Sequence, residues 1–324
     1  MDYVNLGSSG LKVSRLCLGT MTFGRQADEA TSTRILDTAL EAGVNFIDSA
    51  DAYPVPPQLD TAGHTEEIIG RWLRGRRDQV IVATKCRMRV GPGVNDEGLS
   101  RRHIIAACEA SLRRLQTDYI DLYQPHSPDN DTPLDETMEA LDSLVSSGKV
   151  RYLGCCNFEA WRLGLALESS TRLGTHPFVC LQPRYNLLYR EPERELLPLC
   201  QHAGLGVIPY NPLSAGMLTG KYRKGLTPPE GSRFSQGQYG QMYQQRYWND
   251  QLFDIVDRVL GIATEADISP STLAVAWLLA QPAVTSPILG ATRPEQLGET
   301  LAAAQVSLPD HLLDALDQAT AGLR

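Results

Sequence analysis

The sequence of 324 residues predicts an α/β protein, a (β/α)8 TIM barrel with an N-terminal β-hairpin and a long loop after the seventh strand. Short apolar runs alternate with longer helical patterns along the chain, which is typical of a parallel sheet covered by helices. The chain carries eight such runs, and no glycine-rich fingerprint follows the first of them. Both observations favour one barrel domain, residues 1–324, over a doubly wound open sheet.

The elements follow one another in a regular order. The hairpin is predicted from residue 3 to residue 13, with its turn at residues 7–10. The eight barrel strands are predicted at residues 16–18, 44–47, 80–83, 120–123, 150–153, 179–181, 206–208 and 285–289. Helices are predicted at residues 31–42, 66–73, 101–115, 134–147, 158–173, 193–203, 252–266 and 271–280, and glycines just past three of these ends agree with them.

Composition excludes several classes of protein. Hydrophobic residues make up 42% of the chain and charged residues 21%, which is typical of a globular domain and not of a disordered or fibrous chain. The net charge of −8 without a basic run argues against nucleic acid or an anionic membrane as partner. No apolar run approaches the ~18 residues of a membrane span. The sequence carries no signal for the oligomeric state.

Cysteines and the N-terminus indicate the compartment. The seven cysteines are scattered through apolar runs, which indicates buried thiols in a reducing environment. No Cys or His spacing is typical of a metal site, so no metal is expected. Residues 1–5 lack the basic and apolar regions of a signal peptide, and we therefore expect a cytoplasmic protein.

One segment, residues 213–248, breaks the regular alternation. It is rich in Gly, Gln, Tyr and Pro and shows no helical or strand period, so we predict a long irregular loop at the mouth of the barrel. Within it, residues 214–221 combine small residues, which let backbone N–H groups approach a phosphate, with one lysine. A flexible hinge explains that run equally well, and the spacing is not that of a P-loop.

Four residues at the ends of consecutive strands predict the chemistry. Asp48 ends the second strand, Tyr53 lies in the loop after it, Lys85 ends the third strand, and His126 follows the fourth. A carboxylate keeps a neighbouring lysine charged, and that charge is expected to lower the pKa of the tyrosine phenol. Such a tyrosine can exchange a proton with an alkoxide while a histidine donates a hydrogen bond to the same oxygen.

Each of the four residues taken singly has a structural explanation. Asp48 could cap a helix, Lys85 could lie on the surface, His126 could bond a loop, and Tyr53 could pack at the rim. Their occurrence together at one end of consecutive strands favours the chemical interpretation. A hydrolase with paired carboxylates is disfavoured, because a Lys85 partner keeps Asp48 ionised and unfit to act as a general acid.

The chain resembles the aldo-keto reductase superfamily over essentially its whole length. The matching stretches are LGTM at residues 18–21, NFID at 45–48, TK at 84–85, the segment 111–123, GKVRYLG at 148–154, NF at 157–158 and GAT at 290–292. YPVPP at 53–57 and GHTE at 63–66 are similar to a bacterial subgroup with an extended loop after the catalytic tyrosine. The resemblance implies that Asp48, Tyr53, Lys85 and His126 form the catalytic tetrad.

The resemblance also implies an extended NADPH/NADP+ molecule bound without a Rossmann domain. Asn157 and Gln182 would hold the carboxamide, Tyr210 would stack on the nicotinamide, and Arg293 is the candidate for the 2′-phosphate, since a guanidinium matches phosphate. The complete implied set is Thr20, Met21, Asp48, Cys156, Asn157, Gln182, Tyr210, Asn211, Pro212, Leu213, Ala215, Gly216, Leu218, Gly220, Lys221, Arg233, Gly290, Thr292, Arg293, Gln296, Glu299 and Thr300.

Three departures from the family pattern concern binding. Cys156 stands where the family usually has Ser, Thr300 stands where Asn is common, and residues 56–62 lengthen the mouth. The implied function is NADPH-dependent reduction of an aldehyde or ketone to an alcohol. The alternative is a cofactor-binding regulatory subunit with incidental turnover.

The substrate is left open by the sequence. A sugar-like ketone, a natural-product ketone and a simple aldehyde all fit. The residues predicted to line the mouth form a mainly aromatic rim; they are Met21, Phe23, Tyr239, Tyr243 and Trp248. The same aromatics could instead pin the 213–248 segment to the barrel.

Overall fold

The computed structural model describes all 324 residues, and a sheet of eight parallel strands forms its centre. A hairpin of β1 (Tyr3–Asn5) and β2 (Lys12–Ser14) precedes it, as predicted. The barrel strands are β3 (Cys17–Gly19), β4 (Phe46–Asp48), β5 (Ile81–Cys86), β6 (Ile120–Pro125), β7 (Val150–Cys156), β8 (Phe178–Gln182), β9 (Gly206–Val207) and β10 (Ile288–Gly290). They pair in chain order, and β10 pairs with β3.

Hydrogen bonds between the last strand segment and β9 close the barrel. Val207 and Val284 form a parallel bridge, and the Thr285 N–H donates to the Val207 carbonyl at 2.8 Å. The Ile288 N–H donates to the Pro209 carbonyl at 2.9 Å. The prediction of a (β/α)8 barrel is confirmed.

Side chains alternate between the two faces of each strand. Inside the barrel, Phe46, Ala83, Leu122 and Cys180 pack together, and the next residues along their strands face the helices. Leu6 and Val13, which flank the hairpin turn, belong to the same inner cluster. The hairpin therefore closes the N-terminal end of the barrel and leaves the C-terminal end for a site.

Helices surround the barrel. They are α1 (Glu29–Glu41), α2 (His64–Trp72), α3 (Arg101–Leu115), α4 (Leu134–Ser146), α5 (Ala160–Leu173), α6 (Leu196–His202), α7 (Gly237–Tyr247), α8 (Asp250–Glu265), α9 (Pro270–Ala280), α10 (Leu297–Ala302) and α11 (Asp310–Thr320). Side chains of Asp28, Ser100, Asn249 and Ser269 accept N–H groups in the first turns of α1, α3, α8 and α9. None of the helices has the length and apolar character that crossing a bilayer requires.

The segment after β9 differs from its prediction as an irregular loop. It contains short 3-10 turns at Ser214–Thr219 and Arg233–Ser235, and then the regular helix α7. Gly240, Tyr243 and Tyr247 form the buried face of α7. The period was hidden because glycine and tyrosine occupy that face in place of aliphatic residues.

Candidate active site

Polar residues form the top layer of the barrel interior. Asp48, Lys85, Gln124, Cys156 and Gln182 occupy inward-facing positions at the C-terminal ends of five neighbouring strands, and all five are buried. Below them the inward positions are apolar. The strand period of two therefore places the polar groups in one layer just under the mouth.

A buried ion pair lies at the centre of this layer. The Lys85 Nζ donates to Asp48 Oδ2 at 2.6 Å and to the Ser49 carbonyl at 2.7 Å. The second oxygen, Asp48 Oδ1, accepts from Gln182 Nε2 at 2.8 Å and from Gln124 Nε2 at 3.5 Å. The expected Asp48–Lys85 pair is confirmed, and both charges are compensated away from water.

Tyr53 and His126 lie above the ion pair. Their rings meet edge to face with centroids 5.8 Å apart, and the Lys85 Nζ lies 5.2 Å from the Tyr53 ring centroid. Both side chains are only partly buried, in contrast to the layer beneath. The structure thus brings the four predicted catalytic residues together, with the two proton-carrying groups nearest the opening.

The pKa of Tyr53 differs from the sequence-based expectation. Burial, followed by the nearby charge of Asp48, raises the pKa of its phenol well above the usual value. Lys85 does not reverse this, because its ammonium is already paired with Asp48. Tyr53 is therefore protonated at neutral pH, the state that a proton donor requires.

The imidazole of His126 is neutral. Burial, then the positive charges of Lys85 and Arg87, hold the pKa of His126 well below its usual range. Its Nδ1 is buried and has no hydrogen-bond partner. A neutral ring carries one N–H donor, which is the form that supports a carbonyl oxygen.

Amides and a phenol cover the β7–β8 side of the mouth. The Tyr210 Oη donates to Asn157 Oδ1 at 2.8 Å, and Asn157 Nδ2 donates to the His126 carbonyl at 2.9 Å. The Cys156 Sγ accepts from Asn157 Nδ2 at 3.1 Å and donates to Gln182 Oε1 at 3.6 Å. Because Asn157 and Gln182 already bond within the chain, a carboxamide would have to exchange with these contacts.

The run after β9, which was predicted to bind phosphate, is held in part by side chains outside the predicted set, Asn186 and Tyr247. Asn186 Nδ2 donates to the Asn211 carbonyl at 2.9 Å, and Asn186 Oδ1 accepts from Ser214 Oγ at 2.8 Å. The Tyr247 hydroxyl accepts from Asn211 Nδ2 at 3.0 Å. The polar residues that follow β8 were a signal that could have indicated Asn186.

Backbone amides of the same run are engaged. The N–H groups of Ala215, Gly216, Leu218 and Gly220 all donate to acceptors within residues 211–217. In this conformation they are not free phosphate donors, contrary to the expectation from the small residues. The buried Pro212 and Leu218 anchor the turn, and Leu213 packs partly against the core.

Three cations near this run have no acidic partner. Burial, then the charges of Arg233 and Arg293, lower the pKa of Lys221, so both arginines lie close enough to Lys221 to repel it. Lys221 lies over Gly216, where an added Cβ would come within 3.0 Å of its Nζ. None of the eighteen ion pairs in the structure includes these three residues. Such a cluster fits a ligand with several negative charges.

The remaining predicted binding residues lie at both sides of the mouth. Thr20 is buried and donates to the Asp48 carbonyl at 2.9 Å, and Met21 Sδ lies 3.8 Å from an Arg233 nitrogen. After β10, Gln296 Oε1 accepts from the Thr292 N–H at 2.8 Å. Gly290 and Glu299 are exposed.

Three residues differ from their expected settings. Thr300 is buried and its hydroxyl donates to the Leu297 carbonyl at 3.1 Å within its own helix, so it presents no free group to an adenine. Phe23, expected at the rim, is fully buried. Trp248 packs on Phe234 with centroids 4.8 Å apart and on Tyr222 at 5.3 Å, which removes it from an open rim.

Comparison with known proteins agrees with this arrangement. The model of the aldo/keto reductase family matches residues 15–321. The chain belongs to the aldo/keto reductase family. The uncharacterized oxidoreductase YrpG of Bacillus subtilis (strain 168) is 40% identical over 98% of this chain and 95% of its own. A probable voltage-gated potassium channel subunit beta of Arabidopsis thaliana is 38% identical over 98% and 96%. The versiconal hemiacetal acetate reductase of Aspergillus parasiticus is 33% identical over 98% and 96%.

Membership in the aldo/keto reductase family supports an oxidoreductase that acts on carbonyl compounds and a small-molecule substrate.

Gln124, which joins Gln182 on Asp48 Oδ1, was not among the predicted site residues. Its inward position near the end of β6, two residues before His126, was the available signal.

Proposed function

We propose that the protein is an NADPH-dependent oxidoreductase that reduces aldehydes or ketones to alcohols, with Tyr53 as the general acid and base. The observation that carries this proposal is the buried Asp48–Lys85 pair beneath the partly exposed Tyr53 and His126. A protonated phenol and a neutral imidazole together can bind one carbonyl oxygen.

In the proposed reaction the protein handles the proton. NADPH, when bound, supplies the hydride to the carbonyl carbon. Tyr53 Oη donates its proton to the carbonyl oxygen, and His126 orients that oxygen through a hydrogen bond. The Lys85 Nζ lies 5.2 Å from the Tyr53 ring centroid, and its positive charge offsets part of the burial and of the Asp48 charge that disfavour the phenolate that remains. Asp48 holds Lys85 in place for this role.

The three unpaired cations support the choice of a phosphate-rich cofactor. Lys221, Arg233 and Arg293 surround the run after β9 without a carboxylate partner, and NADPH carries a pyrophosphate and a 2′-phosphate. Asn157, Gln182 and Tyr210 lie on the other side of the mouth, where a nicotinamide would be held. The residues present therefore fit NADPH.

Replacing Arg293 with alanine tests the preference for NADPH over NADH. Only NADPH carries a 2′-phosphate, so Arg293→Ala is expected to weaken NADPH binding by roughly 1.5–3 kcal/mol, or about 10- to 150-fold, and NADH binding much less. Quenching of tryptophan fluorescence measures both dissociation constants. Arg34→Ala removes an exposed arginine on α1 as a control. Equal weakening of both cofactors would show that Arg293 does not bind the 2′-phosphate.

The segment 213–248 is proposed to close over the cofactor. Its aromatic residues Tyr222, Phe234 and Trp248 pack together, so α7 is expected to move with this cluster as one unit. Hydrogen exchange in residues 213–248 is expected to slow by about tenfold or more when NADPH is added. Strong protection that NADPH leaves unchanged would mean that the aromatic cluster holds the segment closed at all times.

A regulatory subunit is the second candidate, because a plant relative is described as a probable potassium channel subunit beta. The two functions differ in turnover. A panel of aldehydes and ketones, followed by NADPH absorbance, separates them. Rapid substrate-dependent oxidation of NADPH supports the reductase, and tight NADPH binding with negligible oxidation across the panel supports the regulatory subunit.

A further inference from the structure

Arg87 lies beside the proposed reaction centre, where its charge adds to the burial and the Lys85 charge that lower the pKa of His126, and no ligand has been assigned to it. In the pairing of β5 with β6, Lys85 is opposite Gln124 and Cys86 is opposite Pro125, so Arg87 and His126 are the next residues at the two strand ends. The His126 N–H donates to the Cys86 carbonyl at 2.8 Å. Arg87 directly follows the last residue of β5, and its charge acts on the His126 imidazole, so the two side chains lie near each other at the mouth.

Arg87 has no acidic partner at ion-pair distance, although Asp129 lies near enough to interact with its charge. Its guanidinium forms no ion pair, and its Nε is buried without a hydrogen-bond partner. The nearby acid, Asp129, is already engaged by the Leu99 N–H at 2.7 Å and by the Thr132 hydroxyl at 2.7 Å. By contrast, Arg89 pairs with Glu97. A buried donor without a partner is unfavourable unless a ligand completes it.

The backbone of Arg87 is held in an unusual conformation. Its φ is 116°, a value that glycine adopts freely and that costs other residues about 1–3 kcal/mol. The Gly98 N–H donates to the Arg87 carbonyl at 2.9 Å and closes the loop that begins there. The chain thus has an arginine at a position where glycine would be relaxed, and strained residues of this kind cluster at ligand-binding sites.

We propose that Arg87 binds a carboxylate on the substrate, so that the enzyme prefers aldehydes or ketones that carry a carboxylate group. This inference rests on the proposed function. A guanidinium binds a carboxylate through two parallel hydrogen bonds, which would also orient the carbonyl toward neighbouring His126. The cofactor's phosphates have their own cations, Lys221 and Arg293, in the loops after β9 and β10.

Kinetics with two aldehydes of similar shape test the proposal. With NADPH as donor, Arg87→Gln is expected to lower kcat/KM for 4-carboxybenzaldehyde by about tenfold or more, mainly through KM. The value for neutral 4-nitrobenzaldehyde is expected to change less than about threefold, because burial and Lys85, the two larger causes of the lowered pKa of His126, remain in this variant. Arg89→Gln, which removes the same charge two residues away, is the matched control and is expected to leave both values unchanged. Equal losses with both aldehydes would overturn the proposal.

Further measurements separate a ligand role from a structural one. Arg87→Gly removes the side chain and relaxes φ, so its Tm is expected to equal or exceed that of the wild type while the preference for the carboxylate is lost. A lowered Tm together with a retained preference for the carboxylate substrate would contradict the proposal that Arg87 binds that carboxylate. The NADPH dissociation constant of both variants is expected to match the wild type, and a tenfold weakening would reassign Arg87 to the cofactor.

The wild-type protein distinguishes this inference from the proposed function. Reduction of 4-nitrobenzaldehyde by NADPH supports the reductase irrespective of Arg87. If the wild type reduces that aldehyde but shows no preference that depends on Arg87, the carboxylate proposal alone fails. If the wild type binds NADPH but reduces neither aldehyde, the proposed function fails, and the carboxylate inference that rests on it fails with it.

Discussion

Replacing Tyr53 with phenylalanine is expected to lower kcat by about 10²-fold or more while NADPH binding is retained. The substitution keeps the ring, which packs edge to face on His126, and removes only the hydroxyl that donates the proton. Steady-state reduction of a carbonyl substrate measures the first quantity, and fluorescence titration with NADPH measures the second.

The control for this variant is Tyr3→Phe. The Tyr3 hydroxyl donates to the Gly43 carbonyl at 2.9 Å from the hairpin side of the barrel, far from the polar layer along the strands. Its loss is expected to leave kcat unchanged. A Tyr53→Phe protein that turns over at a near-normal rate would show that a different group supplies the proton.

Replacing Lys85 with methionine is expected to destabilise the protein by about 3–5 kcal/mol and to reduce turnover by roughly 10²-fold or more. The large effect on stability arises because Asp48 would remain as a buried carboxylate with only amide donors from Gln182 and Gln124. Urea unfolding gives the change in the free energy of unfolding. Lys12→Met, an exposed lysine on β2, is expected to change it by less than about 0.5 kcal/mol.

The double variant Asp48→Asn with Lys85→Met separates stability from activity. Removing both charges leaves no unpaired buried ion, so most of the lost stability is expected to return while turnover stays low. Recovery of turnover together with stability would mean that Lys85 has only a structural role. Stability that is no better than that of Lys85→Met alone would contradict our account of the buried pair.

The sequence identified the core of the candidate site through position and chemical type. Asp48 and Lys85 end their strands, and parallel strands in a closed barrel bring their C-terminal ends together. The same rule could have identified Gln124, which lies in the inward-facing series of β6 two residues before His126, and Arg87, which directly follows β5.

Other properties could not be predicted, because they depend on neighbours that are distant in the chain. The sequence predicted that Lys85 lowers the pKa of Tyr53. In the structure Lys85 is paired with Asp48, and burial of Tyr53, followed by the charge of Asp48, raises that pKa instead. The sequence predicted that backbone N–H groups of the run after β9 are free to bind phosphate. In the structure the N–H groups of residues 215, 216, 218 and 220 donate to Asn211, Leu213 and Met217. The helix α7 was not predicted, because its buried face consists of glycine and tyrosine and shows no aliphatic period.

By itself, the sequence determined the barrel, the hairpin and the position of Asp48, Tyr53, Lys85 and His126 at the mouth, because these follow from apolar periodicity and from the order of strands along the chain. Only the tertiary structure decided which charges form close pairs. It pairs Lys85 with Asp48 in the interior and leaves Arg87 without an ion pair, although the sequence shows both only as basic residues near strand ends. The physical reason is that a charge in a folded protein is defined by its burial and by the partners within a few ångströms, which chain order does not specify.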